Sequence, residues 1–125
     1  PLRSRSDIDL ALQSYMNKNL DSLFSVVEIE DFFMWSFDKD SNKPRSINYD
    51  FKNRKRRQDL STKYLENGSI YAFNPKMLLE TKNRIHGKMG FYIMEKYKMF
   101  QIDSYADLEL CQNIMTGYDL DNLFT

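Results

Sequence analysis

Cysteine is all but missing from this 125-residue chain. A lone Cys111 excludes an internal disulfide and fits a reducing compartment. Histidine is equally scarce. His86 has no Cys or second His near it, so a zinc centre is not expected. Net charge is missing too. Eighteen basic residues balance eighteen acidic ones, so no global field draws the chain to nucleic acid or to an anionic membrane. No apolar run approaches the roughly 20 residues of a membrane span. The opening PLRSRSD carries no apolar segment and does not read as a signal peptide. The expected location is the cytoplasm. There is no Ser/His/Asp set, no P-loop, no dinucleotide fingerprint, no internal repeat and no low-complexity segment.

Aromatic residues are plentiful: nine Phe, eight Tyr and one Trp favour a folded globular chain. Ser6 can cap a first helix reaching about Asn19, with Ile8, Ala11, Leu12, Tyr15 and Met16 on one face. LFSVVEI, residues 23–29, reads as a buried strand, and FFMWSF, residues 32–37, as a second. Residues 38–50 are polar and read as a loop. SIYAF, residues 69–73, is a strand entered through an Asn67-Gly68 turn. Asn74-Pro75 starts a helix to about Lys82. GFYIMEKY, residues 90–97, is another strand. Ser104 and Asp107 form a capping pair for a last helix with Leu108, Cys111, Ile114 and Met115 inward, ended by Gly117. Helices alternating with apolar strands give an α/β layer fold.

Two stretches carry candidate chemistry. KNRKRR, residues 52–57, holds five basic residues in six. It reads either as a solvated loop or as an anion site. The adjoining Gln58 and Asp59 mix charge and hydrogen-bond type, as a small-anion site needs, and a neutral chain speaks against nucleic acid. Asp103 follows a strand-like stretch and precedes a helix, where α/β folds place ligand and metal groups. Its alternative is a helix cap, with Asp107 as a first-turn acid. Cys111, on an apolar helix face, reads as a buried thiol.

Four ordered motifs resemble the bacterial acylneuraminate cytidylyltransferases, the CMP-sialic acid synthetases. PLRSRSDID resembles the segment after their Gln-Pro-Thr-Ser stretch, and LFSVVE their next strand. RRQDL with ENGSIYAF resembles their Arg-Arg-Gln-Asp and Asn-Gly-Ala-Ile-Tyr motifs. GKMGFYIMEKYKMFQIDSYADLELCQNIM resembles the stretch around their metal-binding Asp-Ile-Asp. The resemblance spans residue 1 to about 115 and covers the C-terminal half of the family's domain. The half holding the CTP phosphate loop is not in it. Gln101 stands where the first metal acid is usual, and Leu65-Glu66 where some relatives carry a further arginine. Relatives specific for legionaminic or pseudaminic acid vary in this region.

The resemblance implies a Rossmann-like three-layer nucleotidyltransferase fold. Residues 1–117 would be the sugar-binding, metal-binding and dimerisation half, and 118–125 a tail. It implies transfer of CMP from CTP to a nonulosonic sugar acid, with pyrophosphate released, for surface glycan synthesis. It implies Mg²⁺ held by Asp103, with Gln101 as a weaker partner, and sugar-acid or phosphate contacts from Arg56 and Arg57. Gln58, Asn67 and Tyr71 would line the substrate pocket or a homodimer contact. Arg57 and Asp103 are the catalytic candidates. Partners would be CTP and the sugar acid, with neither nucleic acid nor membrane. The alternative is a non-catalytic anion-binding or dimerisation module. The chain by itself is expected to be inactive.

Overall fold

The structure is a computed structural model that describes residues 1–30 and 33–120, and of Arg57 the backbone alone. The chain is mixed α/β. The elements of its first compact unit are α1 (Arg5–Asn17), β1 (Ser22–Ile29), β4 (Lys63–Phe73), α2 (Pro75–Thr81), β5 (Met89–Met94) and α3 (Tyr105–Gly117). The second unit holds β2 (Trp35–Phe37) and β3 (Pro44–Ser46). By contact, unit 1 comprises Pro1–Glu28 and Tyr64–Thr125, and unit 2 is Ile29–Lys63. Residues 1–117 thus contain two compact units. The start of the supposed tail is docked in unit 1. Leu120 is buried with Leu2 and Cys111, and Tyr118 stacks on Tyr97 with ring centroids 4.2 Å apart. The remainder, 121–125, lies outside the described residues.

Unit 1 is built on a three-stranded sheet in the order β4-β1-β5. β1 and β5 are parallel, with Phe24 opposite Phe91 and Val26 opposite Ile93. Side chains alternate across a strand, so Leu23, Ser25 and Val27 share a face with Tyr92 and Met94. α1 covers that face. Ala11, Leu23 and Ile70 form its buried cluster, with Tyr15, Leu20, Ala72 and Tyr92 packed around it. On the other face, Phe91 contacts Phe24 and Tyr64 at 5.1 Å and 5.3 Å, and Met89, Phe91 and Ile93 stay exposed. Among the described residues, no helix gives Met89, Phe91 and Ile93 the cover that a three-layer fold requires.

α1 begins two residues earlier than the sequence suggests. SRSDID contains two Ser-x-x-Asp spacings, Ser4 to Asp7 and Ser6 to Asp9, and the first is the one used. Ser4 Oγ accepts from Asp7 N, and Ser4 N donates to Asp7 Oδ2 at 2.7 Å. This is a reciprocal capping box. On α1 Asp7 and Ala11 are buried and Tyr15 packs against the buried cluster, so Ala11 and Tyr15 turn inward as their spacing indicates, while Ile8, Leu12 and Met16 are exposed. The caps of α2 and α3 are Asn74 and Ser104, as their sequences indicate. In α3, Cys111 is buried and Ile114 and Met115 pack beside it, but Leu108 is exposed.

The Asn67-Gly68 pair is not a hairpin turn. β4 runs through it unbroken from Lys63 to Phe73, with Gly68 at φ +66°. A left-handed glycine inside a strand marks a local bulge, which only a residue without Cβ accepts cheaply. The other correction falls in unit 2. The stretch expected to be loop over 38–50 contains β3, which pairs antiparallel with β2, Trp35 opposite Ser46. Phe32, the expected start of that strand, lies outside the described residues.

Candidate functional site

β5 ends at Met94, and the chain then makes a short 3-10 turn, Lys96–Met99, before Phe100–Asp103 leads to the Ser104 cap of α3. This stretch and the Asn67-Gly68 bulge form one wall of a cavity of about 750 Å³ in unit 1. Residues 1–5 and Ile8 also line it, so Arg3 and Arg5 border it together with Asn67, Gly68, Gln101 and Asp103. The position is the carboxyl end of a parallel strand, a usual ligand site in α/β sheets.

Three of the residues picked from sequence, Asn67, Gln101 and Asp103, thus meet in one cavity. They do so in different ways. Asn67 is buried and fully engaged. Its Oδ1 accepts from Ser25 Oγ at 2.6 Å and from Ser69 N, and its Nδ2 donates to the Lys98 carbonyl at 3.2 Å and to Met94 Sδ. Its side chain ties β4 to β1 and β5 and has no spare donor for a substrate. Gln101 Nε2 donates to the Asn67 carbonyl at 3.1 Å. Asp103 is exposed, one residue before the Ser104 cap, and its N–H donates to Asp107 Oδ2. The cap is therefore Ser104, with Asp107 as the first-turn acid that Ser104 and Asp103 hold below the usual carboxylate range. Asp103 is left to face the cavity.

The other candidates lie elsewhere. Arg56 and Gln58 belong to unit 2, and the Arg57 side chain lies outside the described residues. Residues 57–59 form a 3-10 turn, and Gln58 lines a separate cavity of about 240 Å³ within unit 2, beside Tyr49 and Leu60. Two of the cluster's cations cover rings of their own unit. The Arg54 guanidinium sits 4.3 Å from the Phe33 centroid, and Lys52 lies over Phe51. Tyr71 does not line the unit 1 cavity. Its hydroxyl donates to Glu66, and Arg84 stacks on its ring at 3.6 Å. Burial, then the Glu66 contact, pushes its phenol up.

Sequence reasoning missed the charged pair behind the cavity. Lys98 Nζ donates to both Asp7 carboxylate oxygens at 2.9–3.0 Å and pairs with Glu95 at 2.7 Å, and both side chains of the Lys98–Asp7 pair are only 5% exposed. Tyr92 and Ser4 also donate to Asp7. Burial raises the Asp7 carboxyl, but the bonds from Lys98 and Ser4 outweigh it and hold it low. Burial likewise lowers the Lys98 ammonium, and the Asp7 and Glu95 contacts outweigh it and hold it high. Burial and the Asp7 charge lift Tyr92 to about 12. Every donor of Lys98 is spent, so this network is structural. The Ser4-Asp7 spacing was the available signal for its acid; nothing local marks Lys98.

Among the described residues there is no group of three His, Cys, Asp or Glu side chains able to hold a metal. A cation held by the protein alone is not what this cavity suits. The donor set of one carboxylate, Asp103, and one amide oxygen, Gln101 Oε1, fits Mg²⁺ only where most of its ligands come from water or a bound molecule. No helix among the described residues is long and apolar enough to cross a membrane. Compared with models of protein families and with curated proteins, the sequence gives no match to either.

Proposed function

We propose that unit 1 is the sugar-acid and metal side of a cytidylyltransferase that activates a nonulosonic acid with CTP, built on half of a three-layer Rossmann-like fold. One observation carries the reading. Asn67, Gln101 and Asp103 come from two of the motifs that resemble the CMP-sialic acid synthetases, Arg3 from a third, and all four line one cavity. Scattered motifs gathered around a cavity large enough for a nine-carbon sugar acid support a shared ligand.

The chemistry is an in-line transfer. The anomeric hydroxyl attacks the α-phosphorus of CTP, a new O–P bond forms, and the bond to pyrophosphate breaks. The protein's part is position and charge. Arg3 has one guanidinium nitrogen on the Ser69 carbonyl and others left for an anionic group. Arg5 adds a second cation to the lining. Asp103 and the Gln101 carbonyl would hold Mg²⁺, which when bound neutralises phosphate charge and acidifies the attacking hydroxyl. Asn67 keeps the wall in place. Arg56 and Arg57 remain proposed contacts for the sugar carboxylate or the phosphates, and a homodimer remains the proposed assembly.

Calorimetry with N-acetylneuraminic acid, alone and with CTP and Mg²⁺, tests this, with pyrophosphate release followed beside it. The expected outcome is sugar-acid binding weakened roughly tenfold or more by Asp103→Asn when Mg²⁺ is present, without turnover by this chain alone. Absence of binding by N-acetylneuraminic, legionaminic and pseudaminic acids, with and without Mg²⁺ and CTP, would overturn it.

A further inference from the structure

Gln101 is an exposed side chain, and one amide bond at an exposed glutamine is ordinarily worth little. Here its partner is exceptional. The Asn67 carbonyl that accepts from Gln101 Nε2 belongs to a residue whose side chain is buried and bonded to Ser25, Ser69, Met94 and Lys98. Lys98, in turn, is clamped by Asp7. Next to it, Gly68 at φ +66° redirects the backbone of β4 beside the Gln101 amide. An added Cβ on Gly68 would lie 3.5 Å from Gln101 Nε2, so space is not the constraint; the backbone conformation is.

We infer that the Asn67-Gly68 bulge is a positioning element for Gln101. It engages one of the two amide N–H donors and so fixes the plane of the side-chain amide. Gln101 can then accept from a ligand hydroxyl, or from water on a cation, through its carbonyl oxygen, and has one N–H left to give. The identity of the ligand rests on the function proposed above; the positioning of Gln101 does not.

The test is the hydrogen exchange of glutamine side-chain amides in the ¹⁵N-labelled protein, which needs no variant. One Gln101 Nε2 proton is expected to exchange roughly fivefold more slowly than those of the exposed Gln13 and Gln112, as one maintained hydrogen bond gives. Gly68→Ala is expected to remove that difference. Equal exchange at all three glutamines would overturn the inference, whatever the ligand. N-acetylneuraminic acid is then titrated in. Binding is expected to shift the Gln101 side-chain carbonyl while the slow proton stays slow. Binding that releases the proton to fast exchange would overturn the positioning role. If no sugar acid binds, the proposed function fails, and the exchange rates in the free protein still decide the positioning.

Discussion

The side chains that carry most of the fold's electrostatic commitment are Asp7 and Lys98. Removing one partner of a buried pair strands the other, at a cost of about 3–5 kcal/mol. Lys98→Met is expected to lose stability in that range, and Asp7→Asn with Lys98→Met to lose clearly less; urea melts of the three proteins check it. The pH dependence follows from the directions of the shifts. A depressed Asp7 contributes stability that is complete above the ordinary carboxylate range and lost as pH falls through its folded value. A raised Lys98 contributes stability that is complete below the ordinary lysine range and lost as pH rises through its folded value. The advantage of wild type over the double variant is therefore expected to be flat from about pH 5 to pH 10 and to shrink in acid. His86 is a second case at this scale. It is buried, and neither ring nitrogen has a partner among the described residues. His86→Leu is expected to raise stability by about 1 kcal/mol in the same melts; a loss would mean that the imidazole is satisfied by bound water. Asp103 could be named from sequence because it stands between an apolar stretch and a capping serine. Lys98 could not, because its burial is created by an acid 91 residues away.

Elements were legible where local chemistry settles them. β1, the Asn74 and Ser104 caps and the start of α2 follow from β-branched runs, short polar caps and proline at N1. Ser104→Ala is expected to cost about 1 kcal/mol, read by thermal melting, since it removes the acceptor for Asp107 N. The errors have equally local causes. Asn-Gly is a strong hairpin signal, but the same left-handed preference serves a bulge, and only the ladder to β1 distinguishes them. The face of α1 was read correctly at Ala11 and Tyr15 and misread at Ile8, Leu12 and Met16, which are apolar but exposed, while Asp7 is turned inward. A charged residue on the inner face is invisible to a hydrophobic pattern until its partner is known.

For the whole molecule, exposed apolar surface is the consequence to measure. Met89, Phe91 and Ile93 stand on one sheet face, and Ile8, Leu12 and Met16 on α1. Covering roughly 300 Å² of such surface is worth about 7 kcal/mol at 25 cal/mol per Å², before the cost of association. The chain is expected to associate, and Phe91→Lys with Ile93→Lys to lower the mass seen by light scattering while leaving the circular dichroism intact. Unchanged mass in the variant would place the association elsewhere. The α/β class was readable from the alternation of elements; the division into two units was not, because no glycine- or proline-rich linker marks either end of 29–63.

The central claim is that Arg3, Asn67, Gln101 and Asp103 line one sugar-acid site. It is tested most directly by mapping backbone amide shifts while N-acetylneuraminic acid is added with Mg²⁺ and CTP. The expected result is saturable shifts concentrated at Arg3, Gly68, Ser69, Gln101 and Asp103, and lost in Asp103→Asn. No shifts at any concentration reached, or shifts confined to residues away from this cavity, would contradict it.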